Sequence, residues 1–382
     1  MKRTITILIA LVGLTLAGFI AVNTGVAHRV FFEIFAFVKG DGLIAPNVFR
    51  IPPVHSPYER WLQRARKELP LYAGQRLHDV VHVDLKPWPQ QGDGVNGLYL
   101  RFANYQMVDG RLIEIPSGGS TRSERHLYEE GIYVLSGSGY TMLRQQDQAA
   151  QRIDWRQGDL FAVPLNVRHQ HFASGDQSAR LLMVTSFPMV LNLIDNEHFI
   201  NHTDYAFTDR YDGASDYLQR REMLSEYESS VNFIENVPTT ATVPNTGSTQ
   251  AKHFMHWRMA GNSMLKMHVS EIPARTHLNA HRHSSDALIL ILEGEGFTLT
   301  WPESRWGDRI RVDWKAGSLF VPPTFWYHQH FNSGSTPSRH LAINVPDVVR
   351  NLGLNFNNEL EVDSEQVKAE WKKALERLDE PD

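Results

Sequence analysis

One 27-residue stretch of the chain decides the fold because it occurs twice. Residues 271–297 read EIPARTHLNAHRHSSDALILILEGEGF, and residues 114–140 read EIPSGGSTRSERHLYEEGIYVLSGSGY. The two align without a gap, and Gly137 and Gly294 differ by 157 positions. Self-similarity at a fixed offset indicates that one structural unit is present in two copies.

A second pair of stretches follows in the same order. Residues 155–175 read WRQGDLFAVPLNVRHQHFASG, and residues 314–334 read WKAGSLFVPPTFWYHQHFNSG. Both contain W-x-x-G, a proline six residues after that glycine, and H-Q-H-F. The offset is now 159, so the loop between the two blocks is two residues longer in the second copy.

The chain from Leu98 onward consists of short, alternating runs of β-branched and aromatic residues separated by Gly, Pro and Asp. Short strands at such regular spacing predict an all-β sandwich or barrel in each copy. Two regions differ from this pattern. Residues 214–228 form a polar stretch predicted to be helical within a linker, and residues 363–378 form an amphipathic helix with one apolar face.

The repeated blocks resemble the two motifs of the cupin superfamily, G-x5-H-x-H-x3,4-E-x6-G and G-x5-P-x-G-x2-H-x3-N. The resemblance covers about residues 98–191 and 264–354. It implies two double-stranded β-helix (jelly-roll) barrels, a bicupin, in which motif histidines and glutamate hold a metal ion.

In the second copy the resemblance assigns a three-histidine metal site. His281 and His283 occupy the H-x-H positions, and residues i and i+2 of a strand face the same way. His328 occupies the second-motif position, while the glutamate position is Ala287. Three histidines without a carboxylate suit Fe, Cu, Ni or Zn. The pattern looks like that of gentisate and salicylate dioxygenases, which implies Fe(II), O2 and an aromatic or enol-type substrate.

His330 follows His328 by two residues and is matched by His171 in the first copy. Its functional interpretation is a catalytic group that moves protons near the substrate. The alternative is a packing histidine required by the fold, because both copies have it.

The first copy offers a second candidate metal site with a different composition. Glu124 stands where His281 stands, His126 matches His283, Glu130 occupies the glutamate position and His169 matches His328. Two histidines and two carboxylates suit Fe, Mn or Zn. Alternatively, these carboxylates pair with nearby arginines, and the candidates are Arg122, Arg125 and Arg168.

Composition excludes several classes of function. The 382 residues contain no cysteine, which rules out disulfides and thiolate sites, but they contain 18 histidines. The formal net charge is −5, with no basic stripe, so nucleic-acid binding is not expected.

The N-terminus predicts export. Lys2 and Arg3 precede an apolar run over residues 5–22, which predicts a hydrophobic helix that anchors the chain in the membrane with the barrels outside the cytoplasm. Small residues before position 28 leave open a signal peptide cleaved near Ala27, which would give a secreted or periplasmic protein.

These observations predict six regions. They are a signal anchor or signal peptide at 1–27, an extension with a helix at 28–97, a first cupin domain at 98–200, a linker at 201–250, a second cupin domain at 251–358 and a C-terminal helix at 359–382. Since bicupins of this kind assemble, a homo-oligomer is expected.

The expected function is that of a metal-dependent dioxygenase. A different metalloenzyme, such as an isomerase, hydrolase or decarboxylase using Mn, Zn or Ni, is an alternative. So is an exported cupin that binds a small molecule without catalysis. A storage protein fits less well, because storage cupins generally lack the ligand histidines.

Overall fold

The computed structural model describes residues 55–102, 107–146, 148–244, 252–303, 305–360 and 362–378. The chain divides into two units at Ser56, and the described elements belong to Ser56–Asp382. The predicted anchor helix and cleavage site lie outside the described residues. Within the described ranges, no helix is long and apolar enough to cross a membrane.

The described chain consists mostly of strands, as predicted. In the first half they are β1 (Leu71–Gly74), β2 (Arg76–Leu77), β3 (Lys86–Pro87), β4 (Asn96–Phe102), β5 (Asp109–Ile115), β6 (Glu130–Ser136), β7 (Ser138–Arg144), β8 (Gln151–Arg156), β9 (Leu160–Val163), β10 (Arg168–Ala173) and β11 (Ala179–Thr185). In the second half they are β12 (Arg221–Ser225), β13 (Glu228–Val231), β14 (Phe233–Ile234), β15 (Val243–Pro244), β16 (His253–Arg258), β17 (Lys266–Ile272), β18 (Thr276–His277), β19 (His281–His283), β20 (Ala287–Glu293), β21 (Glu295–Trp301), β22 (Ile310–Lys315), β23 (Leu319–Phe320), β24 (Tyr327–Asn332), β25 (Ser338–Asn344) and β26 (Asn357–Glu359).

The described α-helices flank these strands. They are α1 (Pro57–Ala65), α2 (Phe187–Ile194), α3 (Glu197–His202), α4 (Pro346–Asn351) and α5 (Glu365–Leu378). Helix α1 begins with a capping box, in which the Ser56 hydroxyl accepts from the backbone N–H of Glu59 and the Glu59 carboxylate accepts from that of Ser56. In α5, Val367 and Ala374 are buried against the second barrel.

Each copy of the repeat forms a barrel from a large and a small sheet. In the first, the large sheet has the order β1-β4-β5-β11-β6-β9-β14 and the small one β10-β7-β8. In the second, the orders are β12-β13-β16-β17-β25-β20-β23-β2 and β22-β21-β24-β19-β26. Neighbours far apart in sequence, such as β5 and β11, produce the jelly-roll topology that the resemblance implied.

The two barrels exchange strands. Strand β2 lies between β1 and β3 of the first barrel but pairs with β23 of the second, with Arg76 opposite Phe320. Strand β14 lies between β13 and β16 of the second barrel but pairs with β9 of the first, with Phe233 opposite Phe161. Because β2 and β14 lie 157 residues apart, the structural repeat begins earlier than the sequence blocks that revealed it.

A carboxylate from each barrel also contacts the other. Glu129, fully buried, accepts the backbone N–H groups of residues 263–265 at 2.7–2.8 Å. At the equivalent position of the repeat, Asp286 accepts the backbone N–H of Met107 at 2.9 Å. We refer to these two contacts as the carboxylate latch.

The region predicted as a linker is built into this arrangement. The helix predicted over residues 214–228 is wrong, because the chain forms a short 3-10 turn at Tyr217–Gln219 and then strands β12 and β13. The polar composition misled the prediction because β12 is an edge strand with all five residues exposed. Strands β13 and β14 then join the large sheets of the second and first barrel.

The core has layers that follow from the alternation of side chains along each strand. In β6, Ile132 and Val134 face the interior of the first barrel, whereas Tyr133 and Leu135 pack with residues of the second barrel's large sheet. A strand buried on both faces reads as a continuous apolar run.

Candidate metal centres

Strands β19 and β24 bring the predicted histidines of the second barrel together. His281 lies opposite His328 in the antiparallel register. Their ring centroids are 4.3 Å apart, and those of His283 and His328 are 4.9 Å apart. The ligand atoms of His281, His328 and His330 all lie within 4.8 Å of one another. His283 is outside that tightest group but on the same face of β19.

The hydrogen bonds of these histidines determine which ring nitrogen is available. Nδ1 of His281, His283 and His328 lies 3.0, 2.7 and 3.2 Å from the backbone carbonyls of Asn279, Ser285 and Trp326. A carbonyl only accepts, so each Nδ1 carries the proton and each Nε2 keeps its lone pair. This arrangement fixes the tautomer that a metal ligand needs.

Burial keeps these imidazoles neutral. Together with the neighbouring His283, it lowers the pKa of His281 to about 3. Burial also lowers the pKa of His328 well below its ordinary value. Neutral imidazoles at neutral pH are the form that binds transition metals.

His330 has a different partner from the other three. Its Nδ1 lies 2.8 Å from Oγ1 of Thr298, which also accepts the indole N–H of Trp314 at 3.0 Å. His171 in the first barrel has the same surroundings, with Thr141 at 2.7 Å and Trp155 bonded to that threonine. The sequence interpretation missed both threonines, although each directly follows the first repeated block of its copy.

The first barrel brings together all four residues of the second predicted set. Ligand atoms of Glu124, His126, Glu130 and His169 lie within 4.8 Å of one another. Glu130 opens β6, His169 lies in β10, and Glu124 forms an isolated bridge with His169. As in the second barrel, Nδ1 of His126 and of His169 bonds a backbone carbonyl, at 2.8 and 3.0 Å.

The free Nε2 lone pairs of His126 and His169 therefore face carboxylate oxygens, which are also hydrogen-bond acceptors. Oε2 of Glu130 lies 3.7 Å from Nε2 of His126 and 3.5 Å from Nε2 of His169. Both oxygens of Glu130 and both Nε2 atoms are buried without a hydrogen-bond partner among the described residues. A buried, unpaired carboxylate is costly, so the geometry calls for a cation between these atoms.

A proton is one such cation. Burial disfavours the charged form of His169, but Glu124 and Glu130 outweigh it and raise the pKa of His169 to about 10. In turn, burial opposes ionisation of Glu130, while His126 and His169 hold its pKa well below the ordinary range. The separations exceed those of good hydrogen bonds, whereas a metal ion would satisfy all four donor atoms.

The arginine that pairs with Glu124 is not one of the three predicted. Arg111 Nη1 lies 3.6 Å from Oε1 of Glu124, and its Nη2 donates to the Tyr128 hydroxyl at 2.7 Å. Arg111 is 7% exposed and also lines a cavity of about 150 Å³ between α1 and the barrel. No motif marks this arginine, because it lies in β5, outside both blocks.

Comparison with known proteins supports the fold. A family model described as a cupin domain matches residues 111–185. No curated protein matches the sequence. The solved salicylate 1,2-dioxygenase of Pseudaminobacter salicylatoxidans is similar with a TM-score of 0.54 and 13% identity, covering 86% of this chain and 97% of that chain.

A variant of the oxalate decarboxylase of Bacillus subtilis gives a TM-score of 0.49 and 11% identity over 81% of this chain and 89% of that one. At these identities the likeness concerns the fold alone. The chemistry of this chain has to be argued from its own two clusters.

Proposed function

We propose that the chain is a bicupin of the cupin superfamily and a metal-dependent enzyme that uses Fe(II) and O2 on an aromatic or enol-type small molecule. The proposed active centre is the second barrel, with His281, His283 and His328 as metal ligands. His330 is the proposed catalytic group beside them.

The tautomers of the three histidines carry this proposal. Each ring is held by a backbone carbonyl at Nδ1, so that three neutral Nε2 lone pairs lie on the same pair of strands. A three-nitrogen set leaves coordination positions open and suits Fe(II), with Cu, Ni and Zn as alternatives. His281 and His283 are only half-buried, which leaves an approach for a substrate.

A metal ion held there would polarise substrate oxygens and orient the reactants. Side chains of the barrel would exclude water and move protons. The buried interior of the barrel, with Phe320 and Trp314, excludes water below the histidines. His330 is 5% exposed and can hold or move a proton at Nε2, because its other nitrogen is bonded to Thr298.

The ligand set of the first barrel favours a second candidate function. Its two carboxylates and two histidines form a harder ligand set, which suits Mn(II) or Zn(II) as well as Fe(II). Such a centre fits a decarboxylase, isomerase or hydrolase that needs no O2. Glu124, whose side chain is 30% exposed, marks the open side of this cluster.

We further propose that the N-terminal segment places the barrels outside the cytoplasm, as a membrane anchor or as a signal cleaved near Ala27. The support is the basic start followed by the apolar run. Fractionation of cells that express the full chain would separate the outcomes, since an anchored chain remains with membranes and a cleaved one is soluble. Light scattering of the purified protein would establish whether it is a homo-oligomer.

The first experiment is metal analysis of the full-length chain after anaerobic purification. We expect iron in the second barrel that His283→Ala removes and His126→Ala does not. His82→Ala is the control, because His82 is an exposed histidine whose ring bonds Asp79, away from both candidate metal sites. Failure to bind any transition metal, even after reconstitution, would contradict the enzyme proposal and favour a binding cupin.

Oxygen uptake with phenolic and enol-type acids then separates the two enzyme candidates. Uptake that depends on His283 supports the dioxygenase. Manganese or zinc that His126→Ala removes, together with turnover without uptake, favours the first-barrel enzyme.

A further inference from the structure

The hydroxyl of Thr298 has a fixed role because of its two neighbours. The indole N–H of Trp314 can only donate, so it occupies one lone pair of Thr298 Oγ1 at 3.0 Å. Thr298 is fully buried, and its other partner among the described residues is Nδ1 of His330 at 2.8 Å. The hydroxyl proton therefore has one acceptor within reach.

A hydroxyl proton that pointed elsewhere would be buried without a hydrogen-bond partner, which is unfavourable. Every hydrogen-bonding group is satisfied when the indole of Trp314 donates to the Thr298 hydroxyl and that hydroxyl donates to His330. Nδ1 of His330 is then the acceptor, and the ring hydrogen lies on Nε2. This is the opposite tautomer to that of His281, His283 and His328.

We propose that Trp314 and Thr298 act as positioning residues that hold His330 as the Nε2–H tautomer. In this form His330 is not a metal ligand, even though its ring lies beside those of His281 and His328. It is instead a hydrogen-bond donor to an oxygen atom of the molecule bound at the metal. The inference rests on the proposed function, because it assigns a role within the same centre.

The first barrel repeats the arrangement. Trp155 donates to Thr141, and Thr141 lies 2.7 Å from Nδ1 of His171. By the same accounting Nε2 of His171 carries a hydrogen, and this atom is buried without a partner among the described residues. The ring centroids of His171 and His169 are 5.5 Å apart, so His171 lies beside the candidate metal cluster.

A buried donor without an acceptor points to a ligand. Arg111 strengthens the argument, because its Nε and Nη1 make no hydrogen bond among the described residues and Nη1 lies 3.6 Å from Oε1 of Glu124 in the same cluster. The proposal thus extends to the first barrel, as a second centre that would bind a ligand beside the candidate metal cluster. Its ligand carries oxygen acceptors, and enolate or carboxylate oxygens are the class that these donors recognise.

The alternative is that both histidines serve only to pack the fold. Packing alone requires the shape of the ring but sets no particular tautomer. It also predicts no effect of removing one hydroxyl group from a threonine of the same shape. The two interpretations therefore differ in a quantity that can be observed directly.

The experiment is long-range proton–nitrogen NMR on the full-length chain labelled with nitrogen-15 in histidine, with Zn(II) as a diamagnetic probe. Such spectra distinguish Nδ1–H from Nε2–H rings. The signals are assigned by their loss in His330→Gln and His171→Gln. We expect Nε2–H for both residues and Nδ1–H for the ligand histidines, and an Nδ1–H ring at His330 would overturn the proposal.

Thr298→Val and Thr298→Ser test the role of the hydroxyl. Serine keeps the hydroxyl and should keep the tautomer, whereas valine should release His330 into a mixture of both forms. Trp314→Phe provides the same release if Thr298→Val does not fold. An unchanged Nε2–H ring in the valine or phenylalanine variant would contradict the positioning role.

Zinc content measured on the same samples separates failure of the tautomer inference from failure of the proposed function. Zinc bound through His281 together with an Nδ1–H ring at His330 would defeat the inference but leave the proposed function intact. No zinc at all would defeat the proposed function, while the tautomer would still be readable.

Discussion

The two barrels orient their candidate metal ligands by the same hydrogen bonds, but the ligands themselves differ in charge. In both, the carbonyl two residues away fixes the tautomer of each ligand histidine, as for His126 and His283. Where the first barrel has Glu124 and Glu130, the second has His281 and Ala287. The duplication thus keeps the hydrogen bonds that orient the site and changes the ligands themselves.

This difference has an energetic consequence. The first cluster contains a fully buried carboxylate, Glu130, and a partly exposed one, Glu124, whose charges call for a cation, whereas the second contains only neutral rings. The stability of the first barrel should therefore depend on its metal more strongly than that of the second, whose neutral rings leave no buried charge behind when metal is removed.

The largest expected effect follows from Glu130. Removal of metal leaves its fully buried carboxylate compensated only by protonated His169, whose Nε2 lies 3.5 Å away, so we expect the wild-type chain to lose about 3 kcal/mol of unfolding free energy. Glu130→Gln, which has the same shape without the charge, should lose much less. Calorimetry before and after chelation measures both.

His283→Gln is the matched variant in the second barrel. Because His283 is neutral and half-buried, this change should alter the chelation effect by less than about 1 kcal/mol. Equal losses in wild type and Glu130→Gln would mean that no metal neutralises the first cluster.

The carboxylate latch offers a second test of the asymmetry. Glu129 accepts three backbone N–H groups of the second barrel, whereas Asp286 accepts one N–H of the first barrel and the Thr324 hydroxyl. Glu129→Ala should therefore cost about 3 kcal/mol and Asp286→Ala about 1–2 kcal/mol, measured by urea unfolding. The reverse order would show that the exchanged strands, and not the latch, set the stability of the contact.

The sequence predicted what periodicity and spacing determine. The glycines, prolines and histidines of the blocks recur at fixed offsets, which was enough for the duplicated barrel and for both clusters. Arg111 could not be predicted, because only the pairing of β5 with β11 brings it to the site. Strands β2 and β14 contain two residues each, too short for any periodic pattern, so their exchange between barrels was invisible as well.

The missing carboxylate of the second barrel can be restored. Ala287→Glu places a carboxylate where Glu130 stands in the first barrel, and Ala287→Gln is the neutral control of equal size. We expect Ala287→Glu to bind Mn(II) about tenfold more tightly relative to Cu(II) than the control does, because carboxylate favours the harder ion. Competition dialysis measures the ratio, and an unchanged ratio would show that position 287 does not reach the ion.

The smallest expected effect is a difference in how metal binding depends on pH. Without metal, the pKa of His169 is raised to about 10, so this ring is protonated at neutral pH and must lose its proton when metal binds. The pKa of His281 is lowered to about 3, so the second barrel has no proton to release there. Metal affinity of the first barrel should thus rise about threefold between about pH 7 and about pH 7.5, and that of the second should stay constant. Calorimetric titration of His126→Ala and His283→Ala, each of which leaves one barrel intact, measures the two slopes separately. A flat profile for the first barrel would mean that Glu124 and Glu130 do not hold a proton on His169, and the contrast in charge between the barrels would then be smaller than their sequences indicate.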